Sequence, residues 1–145
     1  MILRTAISLL PLGFVVAAHA MSMPGDLDTG MKHATAHHAF VAELEPPANP
    51  AAINQMHSWR VRVTSPDGQP LHQARITVDG GMPQHGHGLP THPKATRELE
   101  DGTYLLEGMK FSMTGWWEIK LAIEAGGVGD TVTFNTVVDP QASVR

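Results

Sequence analysis

From residue 40 to residue 138 the apolar positions recur at every second residue, which is the period of extended chain and not of helix. Two stretches show it most clearly. In Met56–Thr64, Trp59, Val61 and Val63 alternate with Arg60, Arg62 and Thr64. In Trp116–Glu124, Trp117, Ile119, Leu121 and Ile123 alternate with Glu118, Lys120 and Glu124. Ala74–Asp79, with Ile76 and Val78, and Thr131–Val138, with Val132, Phe134 and Val138, repeat the pattern over shorter runs. Phe40–Leu44, Ala95–Leu99 and Tyr104–Phe111 complete a set of about seven predicted strands. Met109, Phe111 and Met113 share one alternating face, which makes Met113 either core filling or a side chain at a strand end that reaches a rim loop.

The breaks between these runs carry turn chemistry. Ser65-Pro66-Asp67-Gly68 places proline where φ is preset and glycine where φ can turn positive. Asp101-Gly102 sits between two extended runs, a strong hairpin signal, and Ala125–Asp130 is glycine-rich enough for a loose hairpin loop. Seven short strands at regular spacing, with no helical pattern after the N-terminal stretch, predict an all-β fold: an immunoglobulin-like antiparallel β-sandwich of about seven strands. A barrel is the alternative.

The N-terminal stretch follows a different pattern. Met1–Ala20 has Arg4, an apolar run from Ile7 to Ala18 and the A-x-A sequence Ala18-His19-Ala20, which together predict a secretory signal peptide over residues 1–20. Its apolar run falls short of the roughly 20 residues a membrane-spanning helix needs. The expected location is therefore the periplasm or the outside of the cell. Cleavage after Ala18 instead of Ala20 would make His19 the mature N-terminus, whose amine and ring together grip Cu(II); that arrangement resembles the histidine brace of certain copper carriers and copper oxygenases. Residues 21–38 show little apolar periodicity and are read as a flexible arm, followed by the sandwich domain over 39–145. The arm carries Met21, Met23, Met31, His33, His37 and His38, and is either a weak metal scavenger or a solvated tail.

Composition narrows the chemistry. The 145 residues include nine histidines and eight methionines but no cysteine. That excludes disulfides, thiolate zinc sites, iron–sulfur clusters and the His₂Cys centre of blue-copper carriers. The formal charge is −4, and removing Arg4 with the leader leaves 9 basic against 14 acidic residues, or −5. The basic residues form no run, so no nucleic-acid partner is expected. No nucleophile elbow, H-E-x-x-H helix, calcium loop or phosphate-cradling loop is present, and the chain is not read as an enzyme.

What remains is the stretch from Gly80 to Pro93. It packs three histidines, one methionine, three prolines and four glycines into fourteen residues, and is read as a loop. His85 and His87 are two apart with glycine between them, so in extended chain both imidazoles project to one side and can meet one ion. The soft thioether of Met82 favours copper. The bland alternative is a proline–glycine turn whose imidazoles cap backbone groups or face solvent. His92, His72, Met56 and His57 are assigned structural or solvated roles.

Three blocks lie in order: Met82-Pro83-Gln84-His85-Gly86-His87-Gly88; Asp101-Gly102-Thr103-Tyr104; and Phe111-Ser112-Met113-Thr114-Gly115-Trp116-Trp117-Glu118-Ile119. With them the chain resembles the YtkA-like domain family, which is related to the FixH proteins, over roughly Trp59–Val138. The resemblance implies an immunoglobulin-like sandwich in an exported or membrane-facing bacterial protein with a link to copper handling. It also implies a ligand set at Met82, His85, His87 and Met113 for a copper ion. FixH proteins carry a membrane anchor and this chain is expected to carry only a signal peptide, which tells against a role in assembling a membrane oxidase. The expectation is a periplasmic copper-binding protein, a carrier or tolerance factor. Its alternative is a metal-free module that docks to a membrane or periplasmic protein partner.

Overall fold

The two-residue alternation becomes nine antiparallel strands in the computed structural model, which describes residues 22–47 and 53–139. The predicted leader, Met21 of the arm, and the candidate terminal ligand His19 lie outside the described residues, as does most of the proline-containing loop before Met56. The strands are β1 (Lys32–Ala34), β2 (Val41–Glu45), β3 (His57–Thr64), β4 (Arg75–Met82), β5 (His87–Gly88), β6 (Lys94–Glu98), β7 (Thr103–Met109), β8 (Gly115–Ala125) and β9 (Val128–Val138). Hydrogen bonding runs in the order β1-β2-β3-β7-β6-β4-β8-β9, with β5 added to β4.

The ladder is continuous but thin at one place. Thr77↔Lys94 alone joins β4 to β6, so the sheet folds over there into two layers, β1-β2-β3-β7-β6 against β4-β8-β9. Ala42, Val61 and Leu106 from the first layer meet Val78, Ile119 and Phe134 from the second in one buried core. The alternating faces account for this directly: Trp59, Val61 and Val63 are buried, as are Trp117, Ile119, Leu121 and Ile123. The protein is an immunoglobulin-like antiparallel β-sandwich, and among the described residues there is no helix.

Three details depart from the pattern read along the chain. Ala125–Asp130 is a tight turn and not a loose loop: Ala125 pairs with Val128, and Gly126 and Gly127 both have positive φ (58° and 81°), the conformation of a two-residue primed hairpin turn. The strand ending at Asp79 continues through Gly80 and Gly81 to Met82, because these glycines pair with Ile119 and Glu118 of β8. Lastly, the stretch read as a flexible arm contains β1, paired with β2 from Lys32↔Glu43 to Ala34↔Val41.

β1 is held from both sides. The Ala36 amide donates to Thr131 O at 2.8 Å, and the Asn135 side-chain amide donates to Asp28 O at 2.9 Å, so the segment bridges β2 to β9. Asp130, buried at 6% exposure, accepts from the amides of His37 and Ala39 and from His37 Nδ1. Burial alone would raise its pKa, but the hydrogen bonds from Thr35, His37 and Thr131 outweigh it and hold the carboxyl well below the usual carboxylate range.

Candidate functional site

The hairpin of β4 and β5 is built by what glycine leaves out. Gly81 pairs with Gly88 and Met82 with His87, and the His85 and Gly86 amides both donate to the Met82 carbonyl at 3.1 and 3.0 Å. A Cβ on Gly81 would fall 2.3 Å from His87 O, and one on Gly80 2.2 Å from Glu118 O. Neither site tolerates a side chain without moving a neighbouring backbone. Gly86 turns the chain at φ 65°, so His85 lies in the turn and the extended i,i+2 geometry expected of His85 and His87 is not present.

The two imidazoles nevertheless meet. Their ring centroids are 5.9 Å apart with planes 25° from parallel. Two imidazoles sharing an ion at metal–nitrogen distances of about 2.0–2.1 Å have centroids roughly 5–6 Å apart. The pair therefore stands at the spacing of a shared ion. His87 Nδ1 donates to Gly88 O at 3.1 Å, which puts the proton on Nδ1 and leaves the Nε2 lone pair for a ligand. Beside His87 an open cleft of about 410 Å³, bounded by Met82, Glu118 and Lys120, gives access from solvent.

The methionines change places relative to expectation. Met82, read as a loop residue, is 1% exposed and belongs to the core, its methyl lying 3.2 Å from where a Gly115 Cβ would be. Met113, which core filling would have buried, is 41% exposed in the 110–114 loop that leads into β8. Met82 thus lies under the hairpin and Met113 stands at the surface.

Trp117 links them, and sequence reasoning assigned it only to the core. Its side chain is fully buried; its ring meets His87 edge-on at 5.7 Å, and its Nε1–H donates to the Met113 carbonyl at 3.0 Å. Below it, Phe111 packs at 5.1 Å from Trp117 and 5.3 Å from His57. His57 Nδ1 accepts from Trp59 Nε1 at 2.8 Å, so its proton sits on Nε2, which is buried with no partner. Burial pushes the His57 pKa down. This ring supports the floor of the site and offers no lone pair to an ion. The signal that could have found Trp117 is the spacing Met113-x-x-x-Trp117 across a β8 start, where an indole N–H reaches back to the loop carbonyl.

The other candidates lie elsewhere. His33 packs on Phe134 at 5.1 Å and its Nε2 bonds Gly30 O at 2.7 Å. His37 is tied to Asp130 near the start of β9, at the end of the sandwich away from the hairpin. His72 pairs with Glu98 at 2.6 Å, and Met56 and His92 are exposed. Among the described residues no three His, Asp or Glu side chains converge closely enough to hold an ion. An ion at the hairpin would therefore need thioether sulfur to complete its ligands.

The profile of the YtkA-like family matches residues 30–122. Of solved structures, a DUF4426 family protein from Pseudomonas aeruginosa PAO1 is similar at a TM-score of 0.53 and 17% identity, covering 76% of this chain and 96% of that one. At that identity the likeness is one of fold. The Lin-41 filamin domain gives a TM-score of 0.41 and 16% identity over 65% of this chain and 89% of that one. No curated protein matches.

Proposed function

This chain belongs to the YtkA-like family, and on that premise we propose that it is a periplasmic copper-binding protein, a carrier or copper-tolerance factor, holding one ion through Met82, His85, His87 and Met113. One observation carries the reading: the His85 and His87 rings stand 5.9 Å apart while the Nδ1–H of His87 is committed to Gly88 O. The Nε2 lone pair of His87 is then free to take a ligand without a change of tautomer. Imidazole and thioether together suit Cu(I), whereas imidazole alone suits Cu(II). The fully aromatic floor of Trp117, Phe111 and His57 supplies a low-dielectric base that favours a monovalent over a divalent charge.

The test is metal analysis of the exported protein after copper loading and dialysis. The reading expects close to one copper per chain, and none after His85→Ala with His87→Ala. Equal retention by the double variant would refute it.

A second reading, docking to a membrane or periplasmic protein partner, is favoured by the exposed Met56, Met113 and Val137, two of which flank the β8 start. Under it copper moves no hairpin resonance, and substitutions of those exposed side chains weaken a partner complex without affecting metal.

A further inference from the structure

Copper in its two oxidation states asks different things of this hairpin. Two imidazoles can satisfy Cu(II), while Cu(I) gains from a soft sulfur ligand. Met82 is held in the core at 1% exposure, so whichever residue decides if the exposed Met113 thioether can add to the ligands decides how firmly Cu(I) is held over Cu(II). We infer that Trp117 is that positioning residue, and that it makes the site selective for Cu(I); this rests on the copper reading given above.

The indole is a donor only, and it is fully buried. Its N–H finds its partner in the Met113 carbonyl at 3.0 Å, so releasing the loop would strand a buried donor. The same indole meets the His87 ring at 5.7 Å and 66°, an edge-to-face contact that fixes the ring's position. One rigid side chain thus sets both the loop bearing Met113 and the imidazole across the hairpin. Gly115 has φ 118° and the Met82 methyl sits against it, so the chain between Met113 and Trp117 bends sharply over the buried thioether. Met113 has no strand partner of its own, and its side chain is 41% exposed. The indole anchor fixes the backbone of the residue whose thioether the copper reading requires.

The experiment uses the full chain and measures Cu(I) affinity by competition with a chromophoric Cu(I) chelator under reductant, and Cu(II) affinity by competition with an amino-acid chelator in air. Trp117→Phe keeps a ring against His87 but removes the N–H. It should weaken Cu(I) by about 10–100-fold, the usual effect of losing a group that orients a ligand, and leave Cu(II) within about threefold. Met113→Leu should do the same, and the double variant should be no weaker for Cu(I) than Met113→Leu alone. Equal weakening of both ions by Trp117→Phe, or additive losses in the double variant, would overturn the inference. If Trp117→Phe does not fold, the wild-type chain decides the point: Cu(I) should slow hydrogen exchange at the Trp117 indole in wild type and not in Met113→Leu. The same change in both proteins overturns the inference. Failure of the wild type to bind copper in either state removes the copper reading and this inference together, whereas binding without discrimination by Trp117 removes the inference alone.

Discussion

Gly81→Ala tests how the hairpin is made. A Cβ there would lie 2.3 Å from His87 O, 2.9 Å from Gly88 Cα and 3.1 Å from His87 C. Ordinary contact begins about 1 Å farther out, so β5 must recede by roughly that much. Antiparallel pairs alternate, and the Leu89 amide bonds Gly80 O, so of Gly81↔Gly88 and Met82↔His87 it is the second that carries the two ladder hydrogen bonds lost, each with a net value of about 0.5–1.5 kcal/mol. Met82, now 1% exposed, would lose part of its cover, a further loss of about 0.5–1 kcal/mol if a third of the side chain is uncovered. Gly81 does not have positive φ, so alanine also restricts the unfolded chain and offsets about 0.4–1 kcal/mol. The sum is a destabilisation of about 1–3 kcal/mol, with His87 moved off Trp117 and copper retention lost. Urea unfolding followed by tryptophan fluorescence reads the first effect as a lower midpoint at unchanged slope. Gly25→Ala is the control, because nothing lies within 4 Å of its Cβ position, and it should stay within about 0.5 kcal/mol of wild type. The reasoning fails if Gly81→Ala matches that control in both stability and copper retention.

The remaining predictions concern acid sensitivity and the core. His57 has its pKa lowered by burial, so its stabilising contribution is complete above the unfolded value near 6.5 and is lost as pH falls through the lower folded value. His57→Asn keeps an acceptor for Trp59 Nε1 but cannot titrate; it should cost about 1 kcal/mol at pH 7.5 through lost ring packing on Phe111, and flatten the decline in urea midpoint between pH 7.5 and 5.5. Asp130 is also depressed, so the stability it adds is present above the unfolded carboxylate value near 3.9 and disappears as pH falls below it. Asp130→Asn should lower the melting temperature at pH 7 and make the melting temperature less sensitive to acid, with the largest loss of amide protection at Ala36–Ala39, which Asp130 and Thr131 hold. Phe134→Ala removes a fully buried ring at the centre of β9 and should cost about 3–5 kcal/mol in urea unfolding.

Much of the sandwich was legible because alternation and burial are the same signal where one strand face meets a core. Trp59, Val61 and Val63 in β3 and Trp117 to Ile123 in β8 are buried as their spacing requires. The Asp101-Gly102 turn was legible for a local reason too, since both residues take positive φ, 54° and 68°. β1 was not legible: three residues, Lys-His-Ala, show no period, and the strand exists because β2 pairs with it and β9, some 93 positions away, holds the residues that follow it. Gly80 and Gly81 read as breakers, yet they extend β4 because the close carbonyls of Glu118 and His87 leave no room for anything larger. At the candidate site the His85–His87 proximity was foreseen from spacing, although it arises from a turn and not from an extended strand. The exchange of Met82 and Met113 between loop and core, and the part played by Trp117, depend on β4 lying between β5 and β8 in the sheet, which brings the β8 start alongside the hairpin. No local pattern encodes that pairing.

Cu(I) is diamagnetic, so the most direct measurement is ¹⁵N and methyl NMR of the chain as one equivalent of Cu(I) is added. The account predicts a large change at Nε2 of both His85 and His87, no loss of the His87 Nδ1 proton that bonds Gly88 O, and shifts of the Met82 and Met113 methyls, with His33, His37 and His72 unmoved. Unchanged Nε2 signals at His85 and His87, or a response confined to the histidines at the far end of the sandwich, would contradict it.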